Sequence, residues 1–511
     1  MLMLSNEPRP TEKHRNSFRR AVIGPIALGI ICTFPAMAER KSREEPSPSQ
    51  PASLVRFEVS AVDAQGQPVT DLQRSECQVA EDGKRETIAL FGYDGNRRQA
   101  AAPTGPQEYS NRGAFAARPT VILLDLLSER LLTWGQAGEE LVQSLQRLES
   151  GSGLYFYVLT SRGTFYPVHA LPRNEADLRA ENPAWTQQIR AQFDVVSRDL
   201  EAFRPLDDRD PAWRAQLTLQ SLGQFASNMT ALPGPKNLIW ITHGVPSAVP
   251  GMSEDDMIDL TPQLRHLGEA FAQSSIAVYT VAQSASGAGA ALGYSWETLQ
   301  LISGLTGGRA YASDNVNAAI TGALTDARGS YVVGYYPRRQ QGDGKYHKLR
   351  ITCARKGVRL QAKQGYWAFP THVSPDEREH TAFEDAAVSP FDDSRIGLRV
   401  TTSPVKETPG TIQVHIRVDS ADLMLPLQSG RYSGDLAVGL IAYSATDSVQ
   451  NVSTARSSLS LTQEQLNQAA KNGIEIVRTV ALDDATRNIR VVVFDSASNQ
   501  TGSVTVPSPD H

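Results

Sequence analysis

The stretch Thr120-Val-Ile-Leu-Leu-Asp-Leu-Leu-Ser128 decides the fold that the sequence predicts for the centre of the chain. It is an apolar run that ends in a lone carboxylate, Asp125, and a helical pattern follows at once. Such a run is typical of a fully buried parallel strand. Because ligands of open α/β sheets bind outside the carboxyl ends of the strands, Asp125 is the first candidate for a functional residue.

Strand and helix patterns alternate on the C-terminal side of this stretch. Apolar runs at 154–159, 237–242 and 276–282 are separated by segments with helical spacing of apolar residues. That alternation indicates a parallel sheet covered by helices. Residues 119–328 are therefore predicted to form one doubly wound α/β domain.

Both flanks of this domain have the period-two pattern of β-strands. Residues 54–92 form a unit too short to bury a core alone, and residues 329–369 contain three more strand patterns. We predict that the two flanks build one small β module, into which the α/β domain is inserted. Residues 93–118, rich in Gly, Pro and Asn, are predicted to be a linker.

The C-terminal part is predicted to be a separate β domain. Residues 370–392 are acidic and contain proline, which indicates a linker, and residues 393–511 hold seven short strand patterns with turn signals between them. This spacing favours an immunoglobulin-like β-sandwich. The predicted fold class is thus α/β, with a β module and a C-terminal sandwich.

The N-terminus predicts export. A basic region precedes an apolar run, Ala21–Ala38, that ends in Ala36-Met37-Ala38, so residues 1–38 have the three-part pattern of a cleaved signal peptide. The alternative is a membrane anchor that is never removed. Residues 39–53 are charged and rich in Pro and Ser, as in a linker. After cleavage no membrane span is expected, and the protein would be periplasmic, extracellular or bound to the cell envelope.

Charge and cysteine content limit the functions further. Loss of the signal peptide moves the formal charge from −5 to −8, because it removes five basic and two acidic residues. A mildly acidic chain is a poor nucleic-acid binder, so no nucleic-acid partner is expected. Cys77 and Cys353 would lie in the same β module. They could pair as a disulfide or remain two buried, small apolar residues.

Several motifs resemble a known family. The central region resembles the von Willebrand factor A domain, and residues 54–369 resemble the exported "VWFA-related" proteins typical of Acidobacteria. The closer resemblance is carried by Val62–Leu72, Glu81–Lys84, Val121–Leu127, Ser330–Pro337, Asp343–Leu349 and Gly365–Trp367.

The resemblance implies a divalent cation held by an Asp-x-Ser-x-Ser motif and by distant Thr and Asp residues. Asp125 matches the first acid, but Leu127 and Glu129 stand at the serine positions, with Ser128 between them, and His243 replaces the second acid. Leu127 cannot bind a metal, and imidazole suits softer metals than Mg²⁺. A degenerate metal site is therefore expected, with Asp125, Ser128, Glu129 and His243 as candidate ligands and no cofactor that the sequence makes certain.

Three functions follow from these patterns. The first is a non-enzymatic one, in which an exported protein binds a protein or envelope partner through the loops at 125–130, 160–167, 243–255 and 283–295. The second is a metal-dependent hydrolase that uses Asp125, Glu129 and His243. The third is a structural envelope component that assembles through its C-terminal sandwich. No nucleophile elbow or zinc-protease motif occurs in the sequence.

Overall fold

The structure is a computed structural model, and it describes most of the chain beyond the predicted N-terminal leader. The described residues are 54–93, 108–112, 118–127, 142–143, 145–146, 153–174, 177, 191, 211–232, 234–250, 257–282, 291–312, 316–338, 342–368, 374–446 and 448–508. The predicted signal peptide (1–38) and the linker at 39–53 lie outside them.

The strands, in chain order, are β1 (Val55–Val62), β2 (Cys77–Glu81), β3 (Lys84–Glu86), β4 (Ile88–Tyr93), β5 (Glu108–Ser110), β6 (Thr120–Asp125), β7 (Leu154–Leu159), β8 (Phe165–His169), β9 (Lys236–Thr242), β10 (Ala248–Pro250), β11 (Met257–Asp259), β12 (Ile276–Ala282), β13 (Ala310–Ala312), β14 (Ser330–Tyr335), β15 (Tyr346–Cys353), β16 (Arg359–Ala362), β17 (Gly365–Trp367), β18 (Leu398–Pro404), β19 (Thr411–Val418), β20 (Leu427–Gln428), β21 (Arg431–Ser444), β22 (Val449–Leu461), β23 (Ile474–Ala481), β24 (Thr486–Asp495) and β25 (Gln500–Pro507). The α-helices bounded within the described residues are α1 (Pro211–Asn228), α2 (Thr261–Gln273), α3 (Ala291–Thr306), α4 (Val316–Arg328), α5 (Pro375–Val388) and α6 (Gln463–Asn472).

The two flanks of the central segment pair with each other in antiparallel sheets. One sheet has the order β16-β1-β14-β4 and the other has the order β17-β15-β2-β3. Side chains of β1 alternate between buried and half-buried for most of its length, so one face of the strand lies on the core. Phe57, Val79, Tyr335 and Leu349, from four different strands, belong to one buried cluster. Each flank therefore supplies the core that the other lacks.

A six-stranded sheet lies between these flanks in the sequence, with the order β13-β12-β9-β6-β7-β8. β6 is parallel to both neighbours, β7 and β9, and all six of its residues are buried. Val121 and Leu123 belong to one core cluster, whereas Ile122 and Leu124 belong to another, as the alternation of a strand buried on both faces requires. Helices α2 and α3 contribute to the first cluster and α4 to the second.

The C-terminal residues form two antiparallel sheets around a shared core. The first has the order β23-β19-β18-β5, and the second has the order β20-β21-β24-β25, with β22 also paired to β21. Val400, Val414, Val438 and Val491 are among the buried residues that fill the space between them. Helix α5 covers the other face of the second sheet, where Phe383 joins a smaller apolar cluster.

The predicted fold class, a doubly wound α/β chain of von Willebrand factor A type, is wrong. In the described part of the chain there are twenty-five strands and six bounded α-helices, and five of the six sheets are wholly antiparallel. Parallel pairs are confined to the sheet around β6. The prediction gave most weight to the buried apolar runs of that sheet, but the many short period-two segments outside it set the class of the whole chain.

The immunoglobulin-like part of the predicted fold class is corrected as well, because one C-terminal sheet takes a strand from outside residues 393–511. Strand β5 lies in the predicted linker at 93–118 and pairs with β18. Next to it, the Asn111 amide donates to the backbone oxygens of Asp393 and Ile396 at 2.6 and 2.8 Å, and the Arg112 guanidinium forms an ion pair with Asp422. The composition of this segment indicates a linker, because contacts between residues nearly three hundred positions apart leave no local signal in the sequence.

Residues 370–392, also predicted to be a linker, contain helix α5. Ser374 caps its start: the hydroxyl accepts from the backbone N–H of Glu377, whose side chain accepts in turn from the backbone N–H of Ser374. The acidic, proline-containing composition suits the first turn of a helix as well as a linker. In the described part of the chain, no helix is long and apolar enough to cross a membrane.

Candidate functional site

Asp125 lies at the carboxyl end of β6 and is only 1 % exposed. Its Oδ1 accepts a hydrogen bond from the backbone N–H of Leu127 at 2.9 Å. Its Oδ2 accepts two more, from the indole N–H of Trp240 at 3.1 Å and from the hydroxyl of Thr242 at 2.8 Å. Both donor side chains come from the neighbouring strand β9. The carboxylate therefore ties the ends of two central strands together.

His243 follows β9 directly and lies near Asp125. Burial lowers the pKa of its imidazole, and the negative charge of Asp125 opposes that shift. Its Nδ1 is buried and has no hydrogen-bond partner among the described residues. Gly244 follows with φ near 90°, a left-handed conformation that favours glycine, and a Cβ there would lie 2.7 Å from the Cβ of Ser295.

The predicted metal site is thus described only in part. The structure brings Asp125 and His243 to adjacent strand ends, while Ser128 and Glu129 lie outside the described residues, as do 251–256 and 283–290 of the predicted binding loops. The ligand role of all four residues stays a prediction. The carboxylate of Asp125 accepts hydrogen bonds from three donors and so serves as an anchor within the protein.

Cys77 and Cys353 are both free thiols. They face each other across β2 and β15, where their Cα atoms are direct register partners. Burial, with the nearby Cys353, raises the pKa of the Cys77 thiol to about 12. The disulfide remains a prediction, and the structure shows that the two segments are neighbours.

A second cluster, which the sequence patterns do not predict, centres on His347 of β15. The ring is buried, and its Nδ1 lies 2.7 Å from Asp82 Oδ2 and 3.5 Å from Glu81 Oε1. Its Nε2 lies 3.0 Å from Asp343 Oδ1. In the described part of the chain, Glu81, Asp82 and His347 form the group whose ligand atoms, one from each residue, all lie within 4.8 Å of one another.

The outer atoms of this cluster are held by further contacts. The hydroxyls of Tyr335 and Tyr366 both donate to Glu81 Oε2, the latter at 3.0 Å. The backbone N–H of Lys348 donates to Asp82 Oδ1 at 2.9 Å. Burial and the hydrogen bond to Glu81 raise the pKa of Tyr335, so its hydroxyl keeps its proton.

The sequence around this cluster carries local signals, but they predict only turns or support only the family resemblance. Glu81-Asp82-Gly83 makes the turn after β2, with Asp82 and Gly83 at positive φ, and Asp343-Gly-Lys-Tyr-His347 leads into β15. The two motifs are more than 260 residues apart. Only the pairing of β2 with β15 joins them, and that pairing has no local signature.

A polar cavity of about 240 Å³ lies near the amino ends of the central strands. Arg118 lines it, forming an ion pair with Glu58 at 2.7 Å and donating to Ser330 at 2.9 Å. Close by, Lys236 is 3 % exposed and its Nζ donates to two backbone oxygens. Burial lowers the pKa of Lys236 to about 7.

Comparison with known proteins finds similar chains among solved structures. No family model matches the chain, and no curated protein matches it, so the resemblance to VWFA-related proteins stays a prediction. Among solved structures, the pilus adhesin SpaC from Lactobacillus rhamnosus GG in its open conformation aligns with a TM-score of 0.27 and 10 % identity, over 83 % of this chain and 70 % of the adhesin. A second form of SpaC aligns with a TM-score of 0.26 and 10 % identity, over 79 % of this chain and 57 % of the adhesin. At such TM-scores the likeness carries no argument about fold or function.

Proposed function

We propose that this protein is exported and acts in the periplasm, at the envelope or outside the cell by binding another protein. The binding region would be the strand-end surface, defined here as the described residues 160–167 and 243–250 together with Leu126, Trp213 and Met257. These residues lie at or beside the carboxyl ends of the central strands, where open sheets with parallel strands place their binding loops.

The observation that carries the proposal is a pair of large apolar side chains exposed at this surface. Trp213 is 38 % exposed and Met257 is 58 % exposed. Helix α1, whose first turn carries Trp213, contacts β10, and Met257 of β11 pairs directly with Pro250 of β10. Exposed aromatic and Met side chains are typical of protein-binding surfaces.

The anchoring of Asp125 supports binding over chemistry. A carboxylate that accepts hydrogen bonds from Leu127, Trp240 and Thr242 fixes the strand ends beneath the surface. A fixed frame lowers the ordering cost of binding. The hydrolase alternative needs Asp125, Glu129 and His243 as metal ligands, and the donors already on Asp125 do not favour it.

The test is a capture experiment with matched variants. Mature protein is immobilised and exposed to envelope extract of the source organism, and the bound proteins are quantified by mass spectrometry. The double variant Trp213→Ser, Met257→Ser should lose partners that the wild type retains. Val477→Ser is the control, since Val477 is 39 % exposed but lies on β23. Equal capture by all three proteins would contradict the proposal.

A second candidate function, assembly through the C-terminal sheets, is favoured by strand β22. It is 13 residues long, its first eight residues are all exposed, and in the described part of the chain it pairs with β21 alone. A long edge strand offers unpaired backbone N–H and C=O groups to another strand. The occupant would be β22 of a second copy, in a two-fold antiparallel pair.

Light scattering tests this assembly. The wild type should form dimers as concentration rises, and Val449→Lys with Val452→Lys should remain monomeric, because charge on an edge strand opposes pairing. Val388→Lys, at an 82 % exposed position on α5, is the control and should dimerise as the wild type does. A monomeric wild type, or dimerisation that is unchanged in the β22 variant, would rule the assembly out.

A further inference from the structure

The polar cavity of about 240 Å³ lies where three parts of the chain meet. Glu58 of β1 lines it from the β module, Ile276 of β12 lines it from the central sheet, and Gln500 of β25 lines it from the C-terminal sheets. Junctions between folded units are a preferred place for small-molecule sites. The volume is below the roughly 300–1,000 Å³ of pockets that hold drug-sized molecules, so an occupant must be smaller than those.

Asp326 of α4 lines this cavity with a carboxylate oxygen that the fold leaves open. Its side chain is 4 % exposed, and its Oδ2 has no hydrogen-bond partner among the described residues. The guanidinium of Arg309 lies 3.7 Å from this oxygen, beyond hydrogen-bond distance. Burial raises the pKa of Asp326, and the charge of Arg309 with the nearby hydroxyls of Ser60 and Tyr279 opposes that shift. A buried acceptor without a donor costs free energy, and a donor supplied by a ligand would remove that cost.

Basic side chains outnumber acidic ones in the wall of the cavity. The charged lining residues are four basic ones and two acidic ones, namely Arg56, Arg118, Lys363, Arg395, Glu58 and Asp326. Arg118 forms an ion pair with Glu58, and Arg395 forms one with Asp393, which lies next to the lining. Even with Asp393 counted, the basic groups exceed the acidic ones by one. Burial lowers the pKa of Lys363 to about 8, so its ammonium form still prevails at neutral pH. The wall therefore favours a ligand that carries an anionic group.

We infer that this cavity binds a small zwitterion of the free α-amino acid class, whose ammonium group donates to Asp326 and whose carboxylate lies against the basic groups of the wall. A ligand with an ammonium group alone would satisfy Asp326 but increase the positive excess. A simple anion would balance the excess but leave the Asp326 oxygen without a donor. A molecule with both groups meets both conditions. The site lies near the amino ends of the central strands, so it is separate from the strand-end surface.

The test uses purified mature protein and three probes that differ only in their charged groups, namely L-alanine, propionate and ethylamine. Thermal unfolding should shift upwards as the millimolar concentration of L-alanine rises, because the ligand binds the folded chain, and calorimetry should give one equivalent. Propionate and ethylamine at the same concentrations should shift unfolding no more than sodium chloride does. No shift with L-alanine, or an equal shift with either singly charged probe, would overturn the inference. This series on the unaltered protein stays decisive even if a variant fails to fold.

Variants then locate the site. Asp326→Asn keeps the shape of the side chain and removes its charge, so it should weaken L-alanine binding at least about tenfold, since hydrogen bonds to charged groups are the stronger ones. Ala277→Leu, at a half-buried position in the lining, should fill the cavity and abolish binding. Asp259→Asn is the matched control and should bind as the wild type does, since Asp259 is exposed on β11 and does not line the cavity. Binding that both Asp326→Asn and Ala277→Leu leave unchanged would overturn the inference, whereas partner capture at the strand-end surface would be unaffected by it.

Discussion

Replacement of Asp125 by alanine should loosen the centre of the parallel sheet. The change leaves three buried donors without their acceptor, namely the N–H of Leu127, the indole of Trp240 and the hydroxyl of Thr242. An orphaned buried donor costs roughly 1–3 kcal/mol. Relief from burying the charge, and water entering the vacated space, offset part of this, so we expect a loss of about 3–5 kcal/mol in local stability.

The assay is native-state hydrogen exchange of the β6 and β9 amides, because a chain with several sheets need not unfold in one step. The expected loss corresponds to exchange faster by roughly two to four orders of magnitude. Asp484→Ala is the control, since this exposed aspartate lies in the turn before β24, and it should leave β6 and β9 unchanged. The result should be the same in chelator.

Two outcomes would refute the reasoning about Asp125. Exchange that changes by less than about tenfold would show that the carboxylate does not hold the strand ends. An effect that appears only when a divalent metal is present would show that Asp125 is a ligand rather than an anchor.

Three further predictions concern a buried lysine, a pair of cysteines and a glycine. The pKa of Lys236 falls to about 7 on folding, so between about pH 7 and 10.5 the unfolded chain binds one more proton than the folded chain. This residue therefore makes the stability of the fold rise with pH in that range. Lys236→Met should flatten the rise, which melting temperatures measured across the same pH range would show. Mild oxidation should join Cys77 to Cys353, seen as a loss of about 2 Da in the intact mass, and the reaction should quicken at alkaline pH because the pKa of the Cys77 thiol is about 12. Gly308→Ala should destabilise the fold by at least about 2 kcal/mol in urea titrations, since its Cβ would lie 2.0 Å from the backbone oxygen of Val278.

Local patterns in the sequence predicted individual strands well but not the class of the chain. The run at 120–125 forms a strand buried on both faces, as its apolar content indicates. The class was wrong because the antiparallel sheets draw on segments with weak local signals. Strand β5 is three residues long, and its place in a C-terminal sheet depends on the contacts of Asn111 and Arg112 with residues 393–422. Pairing between distant segments produces no periodic pattern in the sequence of either segment.

The candidate sites show the same limit. Asp125 was found because a carboxylate after an apolar run is a local signal, yet its partners Trp240 and Thr242 come from another strand and were not foreseen. The residues around His347 were each visible as turn or strand residues. Their convergence follows from the register that places Cys77 opposite Cys353, which sets Glu81 and Asp82 beside the start of β15.

The carboxylates of the two clusters contact different kinds of partner. Around Asp125 both oxygens accept from donors of the protein, so the group is satisfied by the fold itself. At Glu81 and Asp82 one oxygen of each is held in that manner, while the other is turned towards the imidazole of His347. In both clusters the carboxylates join segments that are distant in the sequence, β6 to β9 at Asp125 and the turn after β2 to β15 at Asp82. Asp125 thereby fixes the frame beneath the strand ends, which is where partner binding is to be sought.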